Sequence, residues 1–222
     1  MEAAKPVIVS ETPIKDNLKE YFKKILAKHL DDRAYNETKI KNWADNILSE
    51  SKEYFIKQFP DYDLFLICFI CERNVYFTEN CKNISITATD ASDFVNFQSD
   101  SIYCGLNFFY YKHYILNYNI NDFECDIIRK GNETLLKHLE DRKYNVDKIG
   151  SYNENINKEH MDYIVGKCNK LRSYCINKIF QNPIKGKYYF NYLSHGKDIH
   201  RAIFQSYQND ELICTHDIFF FK

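Results

Sequence analysis

The chain has 222 residues, 27% charged and 45% hydrophobic, with a formal net charge of -1 and a pI near 6.7. That is the composition of an ordinary globule, long enough for one large domain or two small ones. The near-neutral balance argues against a basic face that wraps nucleic acid, because neutralising phosphates takes clustered Lys and Arg. The longest apolar run, Leu64–Cys71, is too short to cross a bilayer as a helix, and no signal-peptide pattern fits Met1–Ser10.

In chain order, the pattern predicts a helix from Pro13 to Leu30, with Thr12 as N-cap and an apolar stripe of Ile14, Leu18, Phe22, Leu26 and Leu30. A break at Asp31–Tyr35 follows. Asn36 caps a second helix running to Phe59, where Pro60 ends it. The period then changes: Leu64–Cys71 reads as a buried strand, followed by strands at Phe77–Ala88, Phe94–Ser99 and Ile102–Tyr111. Asp90–Asp93 and Ser99–Ser101 read as turns between them.

The same order then recurs. Helices are predicted at Asp122–Leu139 and Asn145–Cys168, and strands at Ser173–Phe180, Lys187–Ser194, Ile199–Tyr207 and Leu212–Phe221. Gly131 lies inside the first of these helices, at a cost of about 1 kcal/mol against Ala. The recurrence is visible in the letters: KHLDDRAYNETKI (28–40) and KHLEDRKYNVDKI (137–149) agree at nine of thirteen positions, at an offset of 109 from Lys28 to Lys137. Apolar positions keep that offset, as with Leu18 and Ile127, or Trp43 and Tyr152. Near the ends Tyr103-Cys104 aligns with Ile213-Cys214 at an offset of 110. An internal repeat of this kind predicts two α+β units, 1–116 and 117–222, each with two helices followed by a four-stranded antiparallel sheet.

Three strings carry a family resemblance: AYNETKIKNWADNIL (34–48), LICFICERN (66–74) and DASDFVNFQSDSIYC (90–104). In that order they resemble Tctex-type dynein light chains over residues 14–112 and, through the repeat, more weakly over 123–221. The resemblance implies two helices on an antiparallel sheet and a dimer that exchanges one strand. It implies an adaptor that binds extended peptide segments, such as the dynein intermediate chain, by strand addition at the dimer groove, with a dynein-independent adaptor of the same fold as the alternative. With two copies in one chain, the expectation is an intrachain pseudo-dimer exchanging its second strands, with which a further homodimer is compatible. The peptide-binding residues expected on that basis are Lys82, Asn83, Ile84, Ser85 and Ile86 in one copy, and Tyr189, Phe190, Asn191 and Tyr192 in the other. The first group is small and polar and the second bulky, so the grooves should select different sequences. The implied place is the cytoplasm and its cytoskeleton, a cilium or flagellum included. No catalytic residue, metal, cofactor, nucleic acid or membrane partner is expected.

Several residues could carry sharper chemistry, and each has a plainer role beside it. Cys68 and Cys71 have CxxC spacing, but residues three apart on a strand face opposite sides. Its eight cysteines read as reduced thiols. His29 and His138 stand beside Asp32/Arg33 and Asp141/Arg142. A His–Asp catalytic pair competes there with a helix C-terminal role, Arg33 and Arg142 serving as ion pairs that fix the turn. Cys104 and Cys214, with His113 and His216, could be assembled into a Cys–His nucleophile, the basis of an alternative reading as a small thiol enzyme. No Gly-rich turn accompanies them. Tyr110-Tyr111 and Phe219–Phe221 read as sheet packing rather than recognition surface.

Overall fold

The computed structural model describes residues 12–73, 77–84, 90–112, 123–167, 172–181, 188–195 and 199–221. In chain order these form α1 (Thr12–Leu30), α2 (Glu37–Gln58), β1 (Tyr62–Glu72), β2 (Phe77–Ile84), β3 (Ala91–Gln98) and β4 (Ile102–Lys112). The second half repeats the series as α3 (Glu124–Leu139), α4 (Val146–Lys167), β5 (Arg172–Gln181), β6 (Tyr188–His195), β7 (Ile199–Gln208) and β8 (Leu212–Phe221).

The local signals explain most boundaries. Asn36 caps α2, its Oδ1 accepting the Thr38 N–H at 3.0 Å, and Asn145 does the same for Asp147 at the head of α4, at 2.9 Å. Each helix pair turns on an aspartate in the left-handed region, Asp32 at φ 57° and Asp141 at φ 58°, again 109 residues apart. A short polar side chain tolerates that conformation best after glycine. Two expectations need correction. Thr12 is the first residue of α1 rather than its cap, a one-residue shift of the kind that helix ends commonly show. The expected turn at Asp90–Asp93 is mostly strand: β3 begins at Ala91, and Asp93 is drawn to Lys15 and Lys19 of α1, at 3.1 and 2.9 Å. Residues 114–121, between the two predicted units, and 182–186, between β5 and β6, lie outside the described residues.

No half completes a four-stranded sheet from its own strands. One sheet has the order β3-β4-β1-β6 and the other β2-β5-β8-β7, all pairs antiparallel. Three strands come from one half and the fourth, always the second strand, from the other. β2 runs along β5 from Phe77 opposite Phe180 to Ile84 opposite Ser173. β6 runs along β1 from Tyr188 opposite Cys71 to His195 opposite Leu64. β2 packs under α4 and β6 under α2, so each exchanged strand also meets the other half's second helix.

The two sheets lie face to face, with the helices outside. This is why the apolar run of β1 is continuous. Leu64, Leu66, Cys68 and Ile70 face α1 and α2, while Phe65 and Ile67 face the opposite sheet. The inter-sheet layer is aromatic. Phe65 meets Phe219 with centroids 4.7 Å apart, Phe109 stacks on Tyr174 at 5.7 Å, and Tyr111 meets Phe221 at 5.3 Å. Tyr110 and Phe220 point the other way, toward the helices. Burying aromatic side chains on both faces of both sheets is the main apolar contribution to holding the halves together.

Among the described residues an ionic contact crosses the same layer. Arg172, at the start of β5, is fully buried and grips Asp90, just before β3, through Nε at 3.0 Å and a terminal nitrogen at 3.3 Å. The guanidinium also donates to the Lys112 carbonyl at 3.3 Å and sits 4.3 Å from the Tyr111 ring centre. Sequence reasoning missed this pair, because its members are 82 residues apart and neither belongs to the repeated strings.

Candidate peptide-binding edges

Among the described residues β2 and β6 each have a single strand neighbour, β5 and β1 respectively. The other long edge of each therefore presents main-chain N–H and C=O groups with no strand partner among the described residues. Such an edge is a template for adding a strand. Of the residues expected to bind peptide, Lys82, Asn83 and Ile84 lie on β2 opposite Cys175, Tyr174 and Ser173. Tyr189, Phe190, Asn191 and Tyr192 lie on β6 opposite Ile70, Phe69, Cys68 and Ile67. Ser85 and Ile86 fall outside the described residues. The fold places the two groups on separate sheets, so they form two edges and not one site.

Each edge has a neighbour from the facing sheet. β3 touches β2 at one border of the sandwich, and the strand order brings β6 and β7 to the other. Two exposed phenylalanines mark these borders at matched positions. Phe94 on β3 is 55% exposed and opposite Asn107 of β4; Phe204 on β7 is 58% exposed and opposite Asp217 of β8. Their strand neighbours Val95 and Ile203 are buried against the helices, so both phenylalanines belong to the inner sheet face. Beneath them the borders differ. Asn107 is buried, and Asp217 is only 9% exposed, its carboxyl pushed up to about 6 by burial against the opposing pull of Lys178.

The helix-end histidines are part of a repeated clamp. His29 Nε2 lies 2.8 Å from Glu50 of α2, which also takes Lys28 at 2.8 Å. His138 lies 3.0 Å from Glu159 of α4, which takes Lys137 at 2.7 Å and Lys130 at 2.8 Å. Lys28 holds the Glu50 carboxyl below its ordinary value, and Lys130 with Lys137 holds Glu159 down to about 2. The partner is thus a glutamate 21 residues on, tying the two helices together, rather than the adjacent aspartate. Among the described residues the arginines do not form the expected ion pairs. Arg33 lies over Trp43 at 5.5 Å and Arg142 over Tyr152 at 5.6 Å, so the turn is fixed by cation–π contact.

Cys68 and Cys71 do point to opposite faces: Cys68 lies 3.8 Å from Cys104 in the helix-side core, and Cys71 packs with Phe69 and Phe180 between the sheets. The Cys–His nucleophile does not assemble. Cys214 donates to Asn177 Oδ1 at 3.0 Å, burial pushes its thiol up, and His216 is engaged elsewhere. His113 lies outside the described residues.

His216 belongs to a buried polar cluster that sequence reasoning missed. Its Nε2 is 2.6 Å from His160 Nδ1 on α4, and the other His160 nitrogen meets the Ile127 carbonyl at 2.9 Å. Cys175 lies 3.7 Å from His216 Nδ1 and donates to Asn157 Oδ1 at 3.2 Å. Burial drives His160 down to about 4 and His216 to about 3. The signal was present in the offset itself. Carried through the halves, Ala44, Leu48, Ser51, Leu66 and Cys68 become Asn153, Asn157, His160, Cys175 and Asn177, and Leu106 becomes His216. Phe22 becomes Gly131, and a Cβ there would run into Gln205 and His160. Among the described residues no group of three or more His, Cys, Asp and Glu is arranged to hold a metal ion, and no helix is long and apolar enough to cross a membrane.

A search of curated proteins finds no match to the chain. The family model described as Tctex-1 family matches residues 14–111. Those residues carry α1 to β4, so it is the first half of the chain that is similar to the Tctex-1 family.

Proposed function

We propose that the protein is a dynein light chain-like, non-catalytic adaptor that binds extended segments of partner chains by strand addition to β2 and β6. In this reading, residues 1–116 and 117–222 are two units of one family. They pair within the chain as the family's protomers pair between chains. The carrying observation is the exchange of the second strands, which leaves each exchanged strand with one edge that has no strand partner among the described residues. Main-chain hydrogen bonds along that edge supply affinity, and flanking side chains supply selectivity. The dynein intermediate chain is the first partner to try, with other extended segments as adaptors' cargo, in the cytoplasm and on the cytoskeleton.

A peptide array of candidate partner segments, followed by hydrogen exchange on the bound complex, tests this. Slowed exchange of β2 or β6 amides on binding is the expected result. Binding that protects only the helical faces, or no binding by any segment, would contradict it.

A further inference from the structure

Among the described residues, the large hydrophobic side chains that solvent reaches on the strands are Phe94 of β3, 55% exposed, and Phe204 of β7, 58% exposed; Leu136, Val146 and Val165 are exposed on helices. Phe204 continues the aromatic layer between the sheets. Its ring meets Phe219 of β8 edge-on at 5.8 Å, and Phe219 in turn meets Phe65 of β1 at 4.7 Å. The layer thus runs from the middle of the sandwich to the β6–β7 border and ends on a ring open to water. Covering that ring is favourable for the same reason that the contacts inside the layer are.

The layer also shows how far its side chains reach. The sheets stack with β3 over β2, β4 over β5, β1 over β8 and β6 over β7. Phe65 of β1 nevertheless meets Tyr174 of β5 at 5.8 Å, and Phe109 of β4 meets Phe221 of β8 at 5.5 Å, each one strand over in the facing sheet. A segment added along β6 extends the β3-β4-β1-β6 sheet and stands in that same relation to β7, across the gap and one strand over. A segment added along β2 stands so to β3. We infer that Phe204 and Phe94 are the docking anchors of the two edges, each taking an apolar side chain from the inner face of the added segment. Inner-face positions recur at every second residue of a strand. The partner is therefore an extended segment with an aliphatic or aromatic residue at one such position. The inference rests on strand addition as the binding mode and adds the class of segment that the edges take. The anchor is common to both borders, so this class fits either edge.

The test uses the full chain and fluorescein-labelled peptides of about twelve residues, longer than the 8-residue β2 and β6. They are built from Thr, Ser and Lys and are identical except for Leu or Asn at a scanned central position. Fluorescence anisotropy is expected to show the Leu peptide binding about tenfold tighter than its Asn counterpart. Hydrogen exchange with the Leu peptide should slow the amides of both β2 and β6. In Phe204→Ser, β6 should lose that protection while β2 keeps it, and Phe94→Ser should do the reverse. The double variant should bring Leu and Asn within about twofold. Phe204→Leu keeps an apolar contact on Phe219 and should retain β6 protection, which separates lost docking from a disturbed interior. A Leu preference that survives the double variant, loss of protection at both edges from either single change, or no Leu preference in the native chain overturns the inference. Leu and Asn peptides that protect the edges equally sink only this inference. Peptides that protect neither β2 nor β6 sink strand addition and the inference with it.

Discussion

The two halves share a backbone plan and differ in what fills it. Beneath α2 the core is apolar: Phe22, Ala44, Leu48, Leu66, Leu106 and Phe108. At the matching places beneath α4 stand Gly131, Asn153, Asn157, Cys175 and His216, with only Ile218 kept apolar. The second half keeps the fold because most of these groups find each other: Cys175 with Asn157, Cys214 with Asn177, His160 with His216. The solution is incomplete, for both polar atoms of Asn153 are buried without a partner. A fold duplicated within one chain can thus let one copy's core drift toward polarity while the exchanged strands and the aromatic inter-sheet layer hold the two together.

The comparison breaks most sharply at Arg172, where the first half has Asp63. Arg172→Ala removes the guanidinium from beside the buried Asp90 carboxyl and should cost about 3–5 kcal/mol in chemical denaturation. A loss under 1 kcal/mol would mean the inter-half ion pair contributes little.

Acid should separate the halves next. His160 and His216 sit below the ordinary value of 6.5, at about 4 and about 3, so between those values and 6.5 the unfolded chain binds more protons than the folded one. Stability is therefore full above about pH 6.5 and falls as the pH drops, the two histidines together contributing a loss of roughly 5 kcal/mol by pH 4.5. The Asp217 carboxyl, raised from 3.8 to about 6, works the other way between those values, and Glu159 loses its contribution only below its ordinary 4.5. Denaturation of the wild type beside His160→Ser/His216→Leu, which restores the first half's residues, isolates the histidines. The variant should show the smaller acid loss, and equal losses would remove the pair from the account.

Two glycines sharpen the contrast at smaller scale. Gly131→Ala should destabilise by about 1–3 kcal/mol, because the new methyl meets Gln205 and His160 in a filled space. Gly150→Ala, in α4 with nothing near the added atom, should stabilise by about 0.5–1 kcal/mol through helix propensity alone. Thermal melts of both variants check the pair of signs.

What could be read from the letters was what local rules encode. Asn36 and Pro60 mark α2, the continuous run at Leu64–Cys71 marks a strand covered on both faces, and the repeated strings mark the duplication. The swap of β2 and β6 was reached only through family resemblance, since nothing in either strand's composition names its neighbour. Arg33 and Arg142 were assigned to ion pairs because charge is visible in a sequence and a ring face one turn away is not. Arg172–Asp90 and His160–His216 escaped for a related reason. Their partners are set by sheet order and helix docking, not by spacing along the chain.

The central claim is that one chain carries both members of a strand-exchanged pair. Size-exclusion chromatography with light scattering tests it most directly. The account predicts a species at the chain mass of 26.6 kDa, stable on dilution. A species of about twice that mass, with no folded form at the chain mass, would contradict it.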